Sequence, residues 1–187
     1  WHAYVEHEFV RGLGDGSLKT APDEEDKVLG AAGSLCVEPY TDPWAWSNEA
    51  AVALTDAVLD AVFQRHRLPA ATPVVSTGGS MGGLSALMFC VLSEHNVAAC
   101  YANCPVCDLP YHSTERPDLP RTMVAAFGHY ACGVDEAMRQ TSPLHCASRF
   151  PDIPYLILHG DRDSAVNKAA HSDRLVAELC AYGRRVE

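Results

Sequence analysis

Residues 73–89 read PVVSTGGSMGGLSALMF, and the fold follows from how this stretch is parsed. A short β-branched run, Val74-Val75, enters a glycine-rich turn around Ser80, and an Ala/Leu/Met segment of helical character leaves it. The order is strand, tight turn, helix, with the serine at the apex in a G-x-S-x-G setting formed by Gly78 and Gly82. A serine there is forced into a strained backbone, and glycines beside it let strand and helix approach closely. Such a turn holds the hydroxyl clear of the sheet and aims the first amides of the helix at a reacting oxygen. A bare G-x-S-x-G also arises in plain turns and phosphate-cradling loops. The flanking strand and helix separate this case from the first. The absence of G-x-x-x-x-G-K-[ST], and of any lysine near the glycines, separates it from the second.

Working outward, the residues before the turn predict a helix from Ser47, as N-cap with Glu49 in the first turn, to about Arg67. Leu54, Val58 and Val62 recur at helical spacing, the stripe of a helix lying on a sheet. Beyond the turn, residues 96–102 form a second short buried strand that runs into the loop 103–108. Residues 109–133 hold prolines and charges without clear periodicity, as in a lid-like insertion. A short helix is expected over 135–140, and Ser142-Pro143 starts another. Pro154 to Gly160 is a strongly apolar strand, followed by a helix over about 168–181 with Gly183 as its C-cap, and Val186 opens a further strand. Alternating helices and buried strands make an α/β domain with a mainly parallel sheet. The tryptophans Trp44 and Trp46 read as a packing anchor. Residues 1–44 stay poorly assigned: a glycine-rich turn at 12–16, an acidic run at 23–26, then coil.

The whole chain, 187 residues with 48% hydrophobic and 20% charged, can bury one substantial core. A formal net charge of −10 argues against a nucleic-acid or anionic-membrane surface, which needs clustered Lys and Arg. No apolar run reaches the roughly 18 residues of a membrane span. Eight cysteines fall largely in apolar segments, as buried free thiols would in a reducing, cytoplasmic compartment. Cys104 and Cys107 have C-x-x-C spacing, but a structural zinc site needs four ligands, usually from a second such pair, and the sequence has none. The chain opens at Trp1 and stops at Val186-Glu187 in what reads as a strand, so a fragment of a longer protein is expected.

One further stretch, His159-Gly160-Asp161-Arg162-Asp163-Ser164-Ala165-Val166, follows the apolar strand. Together with Gly78-Gly79-Ser80-Met81-Gly82-Gly83 and Ser142-Pro143, it resembles the α/β-hydrolases, and among them the catalytic domain of prolyl-oligopeptidase-like serine peptidases and related esterases. The resemblance covers residues 45–187, a partial catalytic domain with the insertion near 109–133. It implies Ser80 as nucleophile, the amide of Met81 as one oxyanion donor and Asp163 as the acid of the triad, with Asp161 the alternative. Serine needs an imidazole to take its proton, and the imidazole needs a carboxylate to fix its tautomer. In the family that histidine follows the next strand, which places it beyond residue 187. His171 falls instead on the preceding helix, where packing or capping is expected of it, and His159 is a strand-end residue.

The expected function is therefore hydrolysis of a peptide or ester bond through an acyl-serine intermediate. The substrate would be a small molecule or peptide, with no metal or cofactor and with neither nucleic acid nor membrane as partner. A carboxylesterase is the rival within enzymes, and a non-catalytic binding module that has kept the serine turn is the rival outside them.

Overall fold

A computed structural model describes residues 2–7 and 24–187 of the chain. Among the described residues, six strands form one parallel sheet: β1 His2–His7, β2 Ser34–Val37, β3 Val74–Gly79, β4 Val97–Asn103, β5 Pro154–Leu158 and β6 Arg185–Val186, in the order β2-β1-β3-β4-β5-β6. The helices are α1 Glu24–Ala31, α2 Glu49–His66, α3 Met81–Leu92, α4 Leu109–His112, α5 Leu119–Phe127, α6 Val134–Gln140 and α7 Ser172–Ala181, with a 3-10 stretch at Pro143–Arg149. From β2 onward every connection moves across the sheet in one direction. Right-handed crossovers then put α2, α3 and α7 on the same face.

That face holds the core. Leu84, Leu87 and Met88 of α3 pack with Leu175 and Leu179 of α7 and with Cys100, Ala102 and Tyr155 of the sheet. Leu59 and Phe63 of α2 make a second cluster with Val74 and Phe89. The middle helix α3 is buried nearly all round, as its uniformly apolar sequence requires. Within β3, buried Ser76 donates its hydroxyl to the carbonyl of Ala86 at 3.0 Å, which satisfies the polar group and ties the strand to α3. Along β5, Tyr155 is buried on the helix side, whereas Leu156 and Leu158 are exposed on the other.

Several expectations shift in detail. The segment 1–44 contributes two strands and a helix, since β1 and β2 extend the sheet beyond β3. The glycine-rich turn at 12–16 lies outside the described residues, as does the start of the acidic run. Asn48, not Ser47, caps α2, its side chain accepting the amide of Ala51 at 3.0 Å. A cap needs extended backbone, which Asn48 has (φ −62°, ψ 167°), while the chain turns left-handed at Trp46 and Ser47 just before it. The stretch 109–133 is not irregular: it carries α4 and α5, and α5 buries Leu119, Met123, Ala126 and Phe127 in the main core. The last helix begins at Ser172, later than residue 168, with His171 at its N-cap position after a run of turns. Gly183 does take the left-handed turn that ends it (φ 73°), and Trp46 is a buried anchor whose ring N–H donates to Thr122 Oγ1 at 3.0 Å.

Candidate active site

Between the last residue of β3 and the first of α3 there is one residue, Ser80, and it carries the whole reversal. Its backbone sits at φ 55°, ψ −117°, and the side chain is exposed. A non-glycine residue held there costs on the order of 1–3 kcal/mol and persists only where its surroundings impose it. Here they do. The Ser80 amide donates to the carbonyl of Asn103 at 2.9 Å, and its carbonyl accepts the amides of Val106 and Leu84, each at 3.2 Å. The close approach that demands glycine falls at Gly83, where a Cβ would stand 2.9 Å from Cβ of Pro105 and 3.3 Å from the carbonyl oxygen of Gly78. Met81 opens α3, so its amide is among those with no acceptor inside the helix, at the positive end of the helix dipole.

Two strands away, Asp163 follows β5. Because β3, β4 and β5 are parallel, Ser80 and Asp163 both lie past carboxyl ends of strands, with the end of β4 between them. Cys104 bridges that edge, donating its amide to the carbonyl of Leu158 at 2.7 Å from a left-handed backbone (φ 46°). One carboxylate oxygen of Asp163, Oδ1, accepts the amides of Ala165 at 2.8 Å and Val166 at 3.0 Å; the other, Oδ2, lies 3.5 Å from Nε2 of His159. Burial works against the charge of Asp163, but those amides, together with a hydrogen bond from the Cys104 thiol and the nearby His159, outweigh it and hold the carboxyl below its ordinary range. Asp161 faces solvent and pairs with Lys168 at 3.1 Å.

His159, His171, His112 and His145 are committed elsewhere, and none of these four is hydrogen-bonded to Ser80. His159 directs Nε2 at the carbonyl of Val166, 3.1 Å away, and Nδ1 at the hydroxyl of Ser172. His171 is wholly buried: Nδ1 accepts the amides of Cys107 (3.0 Å) and Asp108 (3.2 Å), and Nε2 meets Glu115 at 3.0 Å. It packs, as expected, but its side chain makes no capping bond to α7 although residue 171 stands at that helix's N-cap. Burial pushes its pKa down, with Glu115 pulling the other way. His112 reaches the same oxygen of Glu115 through Nδ1, and its pKa is likewise lowered by burial. His145 lies 3.4 Å from Asp108.

The donor atoms of His112, Glu115 and His171 all lie within 4.8 Å of one another, the spacing of a metal cluster. The chemistry does not fit one. Two amides aim at His171 Nδ1 and can only donate, so the ring proton stays on Nε2, where a metal would need a lone pair. The group is a hydrogen-bonded clamp. Its third partner is the amide of Asn167, 3.0 Å from the other oxygen of Glu115, so the clamp ties the α4–α5 connection to the chain that follows Asp163.

Sequence reasoning overlooked Glu115 and Asp108, and it weighed Cys104 only with Cys107, not with Asp163. Asp108 caps α4 by accepting the amide of Tyr111 and pairs with Arg174 at 3.2 Å. The D-L-P start of a short helix was a readable signal for that cap. Glu115 had none, because a lone acid among T-E-R-P residues reads as solvated.

No family model matches the sequence, and neither does any curated protein. Solved structures do. A puromycin-hydrolyzing peptidase of Mycobacterium tuberculosis superposes with a TM-score of 0.78 at 19% identity, covering 99% of this chain and 30% of that one. An acylaminoacyl peptidase of Pyrococcus horikoshii gives 0.75 at 15% identity, covering 99% and 31%. A lipase/esterase of Lactobacillus plantarum gives 0.68 at 13% identity, covering 100% and 78%. The chain thus spans under a third of the length of these two peptidases and most of the esterase. It has the α/β-hydrolase fold, with a parallel sheet whose carboxyl edge carries Ser80, Cys104 and Asp163.

Proposed function

We propose that this chain supplies the nucleophile, one oxyanion donor and the acid of a serine hydrolase that cleaves a peptide or ester bond through an acyl-serine intermediate. The observation that carries the reading is the strained, exposed backbone of Ser80 at the head of α3. In the reaction, an imidazole takes the Ser80 proton as Oγ attacks the carbonyl carbon. The amide of Met81 donates to the oxyanion that forms, and the imidazolium returns its proton to the leaving group. Water then cleaves the acyl-enzyme by the same steps in reverse. Asp163 Oδ2 is the oxygen that would take the imidazole, because Oδ1 holds two backbone amides while Oδ2 has only a long approach, 3.5 Å, from His159 among its ion pairs.

The base itself is proposed to come from polypeptide following residue 187. Since β6 is parallel to β5, that polypeptide would leave the sheet at the edge where Ser80 and Asp163 stand. The two peptidases named above superpose better than the esterase, at TM-scores of 0.78 and 0.75 against 0.68, which favours a peptidase of the prolyl-oligopeptidase type.

A fluorophosphonate probe tests this on the full-length protein. Labelling is expected, and Ser80→Ala should abolish it; labelling that survives the substitution removes Ser80 from the mechanism. Residues 1–187 alone should turn over model esters and peptides very slowly. Robust turnover by this chain would put the base inside it.

A further inference from the structure

Beside the acid of the proposed triad stand a thiol and a second imidazole, and neither has a part in the hydrolysis described above. The donor atoms of Cys104, His159 and Asp163 all lie within 4.8 Å of one another at the carboxyl edge of the sheet. We infer that these residues form a site for a soft divalent cation such as Zn²⁺, which inhibits the enzyme by occupying Asp163 Oδ2. The inhibitory part rests on the serine-hydrolase reading; the cation site does not.

Three features carry it. The first is ligand type: Cys, His and Asp are all ordinary zinc donors, and three protein ligands plus a water make a tetrahedral site. The second is spacing. With bonds of about 2.0–2.3 Å, tetrahedral ligands sit roughly 3.2–3.8 Å apart, and His159 Nε2 is 3.5 Å from Asp163 Oδ2. The third is the freedom of the ring proton. His159 Nδ1 faces the hydroxyl of Ser172, which can accept as well as donate. A shift of the proton from Nε2 to Nδ1 keeps that contact and frees the Nε2 lone pair for a metal, at the cost of the hydrogen bond to Val166. The buried clamp around Glu115 lacks this freedom, because backbone amides can only donate.

The thiol of Cys104 must lose its proton to solvent as the metal binds, so affinity should fall with falling pH. Burial, and with it the hydrogen bond to Asp163 and that residue's charge, push the thiol's pKa up, although the backbone at Gly160 acts against them; zinc overcomes such a shift by binding the thiolate directly. Asp163 can serve without disturbing its turn, since Oδ1 keeps the amides of Ala165 and Val166 while Oδ2 turns to the cation. A triad histidine would need that same oxygen, and a cation bound there draws off its negative charge and competes with the imidazole for it.

The test begins with residues 1–187, titrated with ZnCl₂ by calorimetry and with Co²⁺ by absorbance. One equivalent and a thiolate-to-cobalt charge-transfer band are expected. Cys104→Ala should remove the band and weaken zinc at least about 100-fold, the upper end of what losing even an outer-shell partner costs. Exposed Cys132 and Cys180 are the controls: Cys132→Ala and Cys180→Ala should change neither signal. A band that survives Cys104→Ala, or that vanishes in either control, overturns the site. Should Cys104→Ala misfold by circular dichroism, Asp163→Asn replaces it, and unchanged zinc affinity there overturns the site equally.

In the full-length protein, zinc should slow fluorophosphonate labelling, and Cys104→Ala should remove that slowing relative to its own zinc-free rate. Zinc bound through Cys104 with labelling unslowed would overturn the inhibition. A protein that never labels would instead remove the hydrolase reading and leave the binding result standing.

Discussion

Two clusters in this molecule are built from the same parts, imidazole and carboxylate, and they behave oppositely. Around Glu115 two buried histidines and the Asn167 amide use up the carboxylate, and His171 is locked by the amides of Cys107 and Asp108. Around Asp163 one oxygen accepts two backbone amides and the other stands 3.5 Å from His159, at the limit of a hydrogen bond, while His159 faces a hydroxyl that accepts either tautomer. The difference teaches that an imidazole's role is set by what faces its second nitrogen. Amide donors freeze it into structure; a hydroxyl leaves it able to change. The clamp should therefore matter for stability and the open carboxylate for activity.

The largest expected effect falls on the open carboxylate. Asp163→Asn keeps an oxygen for the amides of Ala165 and Val166 but places an amide nitrogen where the proposed imidazole would be held. In the full-length protein kcat/KM should fall about 10³–10⁴-fold, while unfolding free energy changes by less than about 1 kcal/mol. Kinetics on a chromogenic ester and urea denaturation measure the pair. Retained activity would show that the spare oxygen has no catalytic partner.

The clamp reverses that pattern. His171→Ala leaves two buried amides without their acceptor, at about 1–3 kcal/mol each, and opens a hole among Tyr111, His112 and Cys107. A loss of roughly 3–5 kcal/mol by urea denaturation is expected. Glu115→Gln should cost less, about 1–3 kcal/mol, since one oxygen remains but an NH₂ now confronts ring N–H donors. If either substitution is silent in denaturation, the clamp contributes nothing and the comparison fails on its structural side.

Local sequence made one of these regions legible and hid the other. The serine turn, the strand at 154–158 and the aspartate after it could be read because strand, glycine and helix signals lie within a few residues of each other. The clamp joins residues 112, 115 and 171 across the fold, and nothing around Glu115 marks a buried acid. Helix α5 was missed for a different reason. The prolines and charges of 109–133 hide its periodicity, yet a proline in the first turn, here Pro120, is tolerated, and the apolar positions 119, 123, 126 and 127 keep helical spacing around it. Strands β1 and β2 were missed because each is short and set among polar or glycine-rich residues; their strand character comes from pairing with β3 and with each other.

The smallest expected effect is the pH dependence of stability, and its sign follows from the clamp. His171 and His112 are both held neutral by burial, their pKa values below the ordinary 6.5. Below about pH 6.5 the unfolded chain takes up those protons first. The stability they contribute is therefore complete above that pH and is lost as pH falls toward the folded-state values. Protonation at His171 Nδ1 would also set a new N–H against two amides, which sharpens the loss. Glu115 acts in a lower window. Burial raises its pKa, but hydrogen bonds from His112, His171 and Asn167 outweigh that and hold it below the ordinary 4.5. Its contribution is present above that range and disappears as pH falls through the folded value. Urea denaturation at a series of pH values should thus show stability declining in two stages on acidification, with the upper stage shallower in His171→Gln. An upper stage of unchanged slope in that variant would assign the acid sensitivity to other histidines and remove the titratable role given to the clamp.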